Sequence, residues 1–299
     1  MKIQCKSNLT QNGSRVQVAA IALCLLLLAG CSATQLAYRN LDWLISRKVN
    51  QLVDLNSSQQ AWFDHQLQGT LQWHCQQEIP RYHQELTRIG KRLLSADLEP
   101  QSLEADMQRA EASANRLLER TAPLMSGLLQ RLDDDQIQEL RSNMDEHLDE
   151  QYQELASPPL QERQEHSIKE LSSLLERWLG RLNTPQKALV EQWAASRSRV
   201  DSNRIWLDNR RHWQGLLFDE LATRQQNDFS QRIRHLLVDY RQLQTPAYAQ
   251  QVPRSKLAFS QLLTGIMQAA TAKQKKHFST QLEELLEDLQ ALNCSSDKS

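Results

Sequence analysis

The chain has 299 residues, with 35 Lys+Arg against 36 Asp+Glu, a formal net charge of −1 and a mean hydropathy of −0.62. This near-neutral balance, with no concentrated basic face, excludes the electrostatic footprint of a nucleic-acid binder, so no nucleic-acid partner is expected. Only eight Gly and eight Pro interrupt a chain rich in Leu, Gln, Glu, Arg and Ala. These are good helix formers, and their polar share argues for long amphipathic helices with broad wet faces.

The N-terminus stands apart from the rest. Lys2, Lys6 and Arg15 carry its charge without any acid, and residues 16–28 are apolar except for Gln17. A basic segment followed by a short apolar core reads as a secretory signal, too short to span a bilayer comfortably. Leu28-Ala29-Gly30-Cys31 resembles a bacterial lipobox. The resemblance implies diacylglyceryl transfer to the Cys31 thiol, cleavage before Cys31 and acylation of the new amine. Three long acyl chains would hold the protein to a membrane durably, since one chain alone binds only marginally. The competing reading is an uncleaved signal anchor with Cys31 as an ordinary apolar residue. Small residues before a cysteine at this distance from the charges favour the lipobox. Ser32 follows. In Gram-negative lipoproteins an Asp there favours the inner membrane, so the resemblance implies the periplasmic face of the outer membrane. Removing residues 1–30 takes away three basic residues and moves the net charge from −1 to −4. Beyond Cys31 only Cys75 and Cys294 remain. In an oxidising periplasm they form either a disulfide or two unpaired thiols, and spacing alone does not decide which.

Leu41, Leu44, Ile45, Val49 and Leu52 recur at helical spacing. The nearby Tyr38 and Trp43 either pack into the body or touch a membrane interface. Packing is favoured, because Trp43 sits beside the apolar stripe. Helical patterns then run over about 59–96, with a kink or break expected at Pro80, and about 100–131, with another expected at Pro123. Further segments cover about 133–156, closed by Ser157-Pro158-Pro159, then 160–180, ending at Gly180. The remainder reads as 183–197, 201–224, 226–243 and a final pair near 253–270 and 272–292, with a frayed tail at 295–299. No strand or hairpin signal occurs. The expected fold is all-α, an elongated bundle of about eight to ten helices over residues 31–299, with a candidate sub-division near 157–160.

A local pattern, Leu/Ala-x-x-x-Gln, recurs at Leu55–Gln59, Leu132–Gln136, Leu182–Gln186, Leu221–Gln225 and Ala270–Gln274. In its clearest copies Asn56, Asp133, Asn183 or Thr271 follows the apolar residue. That is the spacing of a capping box, in which the short polar side chain caps an early amide and Gln reaches back to the cap's own amide. The irregular intervals argue against a fixed-period solenoid. The copies therefore mark helix starts.

Two stretches carry a family resemblance: Leu41-Asp42-Trp43-Leu44, Val53-Asp54-Leu55, Trp73-His74 and Glu78-Ile79-Pro80-Arg81-Tyr82, and then Glu176–Gln186 with Trp193 beyond. With the lipobox, they resemble an uncharacterised family of proteobacterial lipoproteins built on a domain of unknown function. Cys75 and Asn183-Thr184 depart from the usual pattern, and the family brings no catalytic residues with it. The Leu-x-x-x-Gln repeat is also weakly similar to small periplasmic stress proteins with a Leu-Thr-x-x-Gln motif, helical cradles for unfolded clients or a sensor kinase.

Chemistry-bearing signatures are sparse. His65, His74 and His83 are spaced by nine, so neighbours face opposite ways on a helix. His74 and Glu78 supply two ligands at most, and a hydrogen-bonded histidine outranks a metal ligand. The acidic run Asp145–Glu150 reads as a solvated face, and no Gly-rich phosphate loop or Gly-x-Ser-x-Gly elbow occurs. No metal and no cofactor is called for. Trp206, Arg210 and Trp213 form the most distinctive cluster: either a bundle seam, which is favoured, or a binding surface of the Trp/Arg kind typical of interface hot spots. The resulting expectation is a non-enzymatic protein held to the membrane by lipid on Cys31, binding a periplasmic protein partner or client through a helical groove. An envelope enzyme acting on peptidoglycan or lipid, and a structural spacer, are the alternatives.

Overall fold

A computed structural model describes residues 31–292 and Cys294, with side chains from Gln35 onward. Residues 1–30, where a secretory signal is expected, and the tail 295–299 lie outside the described residues. Among those described, every regular element is helical. They are α1 (Cys31–Arg39), α2 (Leu41–Asn50), α3 (Ser57–Trp73), a π-helical turn (His74–Glu78), α4 (Ile79–Leu93), α5 (Pro100–Arg131), α6 (Asp134–Leu155), α7 (Leu160–Leu179), α8 (Thr184–Arg199), α9 (Ser202–Leu221), α10 (Phe229–Val238), α11 (Pro246–Gln268) and α12 (Ala272–Gln290). The expected all-α class holds.

Four of the five Leu/Ala-x-x-x-Gln copies are complete capping boxes, opening α3, α6, α8 and α12. At α6, for example, the Gln136 amide donates to Asp133 Oδ1 at 2.9 Å while Gln136 Oε1 accepts from the Asp133 amide at 3.1 Å. The fifth copy corrects the reading. Leu221 is the last residue of α9, and Gln225 lies exposed in the turn that follows.

The boxes work in pairs. Gln59 and Gln136 exchange amide hydrogen bonds at 2.7 and 2.8 Å. The second proton of each amide goes to a carbonyl two residues before the other's cap, Arg131 at 2.8 Å and Asp54 at 2.7 Å. Gln274 likewise donates to Gln186 Oε1 at 2.8 Å and to the Arg181 carbonyl at 3.1 Å. On the facing side the Ala269 carbonyl is taken by Asn183 Nδ2, and Gln186 Nε2 turns to the Ile266 carbonyl. An amide side chain has two donor protons and two acceptor lone pairs; this geometry uses nearly all of them, with Gln59, Gln186 and Gln274 buried and Gln136 half-buried.

Each glutamine pair adjoins an apolar core. The first core joins Val53, Leu129, Leu132 and Ile137 to Leu217, Leu221, Phe229 and Ile233. The second joins Leu98 and Leu103 to Leu171, Leu175, Leu182, Val190, Ile266 and Phe278. Both draw residues from either side of the Ser157–Leu160 junction, and α5 contributes to both. At ~25 cal/mol per Å² of apolar surface, these cores supply the dominant favourable term of folding.

Proline behaves differently at its two expected break points. Pro80 sits at the start of α4, directly after the π turn, where the Ile79 amide reaches back to the His74 carbonyl. The widened turn absorbs the missing donor, so residues 57–93 stay helical throughout. Pro123 lies within α5, which remains a single helix.

Candidate functional site

The π turn organises the densest cluster of perturbed polar groups. It widens the helix by one residue, the kind of local distortion that often marks functional positions. Cys75 and Glu78 are both buried there, and Glu78 is fully so. Burying a lone carboxylate would be prohibitive, and Glu78 is instead held by three arginine contacts. Arg81 Nη1 donates to Oε1 at 2.6 Å, and Arg116 binds both oxygens at 3.1 and 3.0 Å. Arg116 reaches Glu78 from α5, across the α4–α5 seam.

On the other side of the turn, the Tyr38 hydroxyl lies 3.0 Å from His74 Nδ1, and the two rings stack with centroids 5.9 Å apart. Tyr82 meets His74 edge-on at 5.5 Å. Burial lowers the His74 pKa against the upward pull of Glu78, so the imidazole is held neutral. Burial, and then Glu78, push the Tyr82 phenol up to about 12, with Arg116 opposing; burial and Tyr82 raise Tyr38. These are protonated phenols on a neutral imidazole. The Tyr38 hydroxyl and His74 Nδ1 are spent on each other, and Glu78 is spent on its arginines. Cys75 offers no thiolate here, being bridged to Cys294 with a Cα–Cα distance of 5.5 Å. The bridge fastens the chain after α12 to the π turn.

The cluster is therefore a clamp, and what it clamps is the N-terminal end. Tyr38 belongs to α1, whose Gln35 also donates to Asp288 of α12 at 3.3 Å. Ile45 and Val49 of α2 pack against Phe63, Leu67, Leu124 and Leu128. Trp43 does not follow them. The sequence reading favoured packing for both aromatics; Tyr38 packs, but Trp43 is 56% exposed and Leu36 63% exposed. Ile45 and Val49 already fill the inward face, and Trp43 falls on the opposite one.

A second charged seam continues along α4 and α5. Asp106 is buried and receives Arg88 at 3.2 Å, Arg92 at 2.7 Å and Arg109 at 3.0 Å. Glu85 also pairs with Arg88.

The remaining sequence candidates are distributed. Trp213 Nε1 donates to the Leu236 carbonyl at 3.1 Å and packs on the first core. Trp206 packs beside Leu148, Leu155 and Leu207. Arg210 lies 5.7 Å from the Trp206 ring and donates to Gln151 Oε1 at 2.6 Å, its pKa lowered by burial. All three are half-buried between helices. Among the described residues no three His, Cys, Asp or Glu side chains gather as metal ligands, and no helix is long and apolar enough to cross a membrane. A groove of about 370 Å³ opens between α3 and α5, lined by His65, Gln68, Gly69, Gln72, Arg120 and Pro123 among others. A Cβ at Gly69 would meet no atom, so this wall is open. Sequence periodicity gave no signal for that groove.

No curated protein and no solved structure matches the chain. A family profile matches residues 51–249, more than half of the sequence, and on that match the chain belongs to DUF6279, a family of unknown function.

Proposed function

We propose that this protein is a lipoprotein, attached through acylated Cys31 to the periplasmic face of the outer membrane, and that its helical body presents a polar groove to a protein partner. The supporting observation is the continuity between lipobox and fold: α1 starts at Cys31 itself and is built into the body seven residues later by the Tyr38–His74 contact. Such an arrangement suits a body held against the bilayer and not one swung on a flexible stalk. The partner-binding part of the reading rests on the α3–α5 groove, whose glutamines, Arg120 and open Gly69 wall suit an extended polar segment. Binding is favoured over envelope catalysis because the buried acids Glu78 and Asp106 are each paired with arginines, the buried Asp288 accepts from Gln35, and His74 Nδ1 is taken by the Tyr38 hydroxyl.

Metabolic labelling with an alkyne fatty acid, followed by density-gradient separation of envelopes, tests the anchor. Label on the wild type, none on Cys31→Ser, and co-migration with outer membrane are expected; label retained on Cys31→Ser sinks it. Photo-crosslinking from Gln68 tests the groove. A discrete adduct that disappears on Gly69→Trp is expected, and no adduct at all would count decisively against a partner there.

A further inference from the structure

The outward face of α1 and α2 has a composition that the fold does not use. The hydrogen-bond ladder runs on through their junction, from the Asn40 amide to the Leu36 carbonyl and from the Leu44 amide to the Asn40 carbonyl. Residues spaced by three, four and seven therefore share a side. The exposed residues of this segment are Leu36, Arg39, Asn40, Trp43, Arg47, Lys48 and Asn50. On the side shared by Leu36, Arg39, Asn40, Trp43, Arg47 and Asn50, two large apolar side chains stand in the open, at 63% and 56% exposure, with two basic groups beside them; Lys48 and the half-buried Asp42 flank this side on opposite edges. Arg47 lies over the Trp43 ring, 5.3 Å from its centroid.

We infer that this stripe is a bilayer-seating surface: α1 and α2 lie in the interface of an anionic phospholipid membrane, with Leu36 and Trp43 at the level of the headgroups and Arg39 and Arg47 beside lipid phosphates. This deepens the proposed lipid anchoring and rests on it. Three observations choose lipid over other occupants. The stripe begins five residues after the proposed attachment point, so acyl chains in a leaflet bring it to the surface. The charged groups on its shared side, Arg39 and Arg47, are both basic and complement anionic headgroups. Tryptophan paired with arginine is the chemistry of an interfacial belt, in which the ring sits at the boundary and the cation reaches outward. The inward side of the same segment is fastened at Gln35, Tyr38, Ile45 and Val49, so seating the stripe also sets how the whole body stands on the membrane.

The acylated full-length protein, reconstituted in phosphatidylethanolamine/phosphatidylglycerol vesicles with brominated acyl chains, provides the test. Trp43 is one of seven tryptophans, so it is read by difference. The wild type should lose emission relative to unbrominated vesicles, and Trp43→Phe should abolish that loss while keeping its far-ultraviolet spectrum. Leu36→Glu should reduce the loss without replacing any tryptophan. Equal quenching of wild type and Trp43→Phe would overturn the seating. So would a Trp43 shielded from aqueous iodide but untouched by brominated lipid, because a protein surface would then cover the stripe. Intact mass of the N-terminal peptide reads the anchor separately. An acylated protein whose Trp43 remains in water refutes the seating alone; an unacylated protein refutes the anchor, and quenching by added vesicles would then still support the seating surface.

Discussion

Replacing Gln186 with alanine should be far more damaging than helix propensity suggests. Gln186 is fully buried, and its side chain serves three groups: the Asn183 amide at 3.0 Å, the Gln274 amide at 2.8 Å and the Ile266 carbonyl at 3.1 Å. Alanine leaves each without that partner. At about 1–3 kcal/mol for each buried group left unsatisfied, discounted for the partly exposed cap, the loss is about 3–5 kcal/mol. For a chain of this size that is roughly a 10 °C fall in Tm. Urea unfolding of Gln186→Ala, Gln274→Ala and the double variant would isolate the pair. The coupling should be about 1–2 kcal/mol, because the second substitution removes a group already stranded by the first. Gln225→Ala is the control. It carries the same sequence pattern but lies exposed in a turn, and it should cost no more than ~0.5 kcal/mol. A coupling under ~0.3 kcal/mol, or a Gln225→Ala variant as damaged as Gln186→Ala, would refute the paired-amide account.

Other perturbations probe the clamp and its seams. His74 has a folded pKa below its ordinary 6.5, so the unfolded chain binds more protons as pH falls through that value. Its contribution to stability is therefore full above about 6.5 and is lost on acidification. The denaturation midpoint should drop between pH 7.5 and 5.5, and His74→Gln should flatten part of that drop; an identical profile for the variant would show that another group is responsible. Asp106→Asn leaves Arg88, Arg92 and Arg109 without their shared counter-charge and should destabilise by about 3–5 kcal/mol, partly recovered at high salt. A loss below ~1 kcal/mol in calorimetry would mark the seam as solvent-screened. Gly90→Ala places a methyl group onto Leu282 where α4 meets α12. Overpacking of about 1–3 kcal/mol should outweigh the ~1 kcal/mol gain in helix propensity, whereas a stabilised variant would mean that α12 shifts freely.

Much of the helical order was legible because the helices announce their own starts. Asn56, Asp133, Asn183 and Thr271 cap locally, and local hydrogen bonds can be read from four consecutive residues. What each glutamine does with its remaining donors could not be read. Its partner lies 77 or 88 residues away, and no periodicity links the two. The clamp was hidden for the same reason. His74 finds its partner 36 residues upstream and Glu78 finds Arg116 38 residues downstream, both chosen by tertiary packing. Helix α1 is only nine residues long, and its attachment to the body runs through Tyr38 and Gln35 to partners 36 and 253 residues away, which no local pattern announces. At Pro80, where a kink or break is expected, the helix is not broken but distorted into a π turn, a donor pattern that local spacing does not announce.

The clamp and the stripe are opposite faces of one segment, and this makes their consequences inseparable. Tyr38 points inward to His74 while Trp43, five residues on, points out. A change that frees Tyr38 releases the inward fastening and lets α1 and α2 rotate, so the exposed tryptophan would no longer have a fixed direction relative to the body. The Cys75–Cys294 bridge secures the same π turn from its other side, and Gln35 ties α1 to α12 shortly before that bridge. Two contacts thus fasten α1 to the body, and the disulfide holds together the π turn and the chain after α12 against which it packs. If the proposed anchor holds Cys31 in a bilayer, the contacts of Tyr38 and Gln35 would fix which way the α3–α5 groove faces, and freeing Tyr38 would alter that direction.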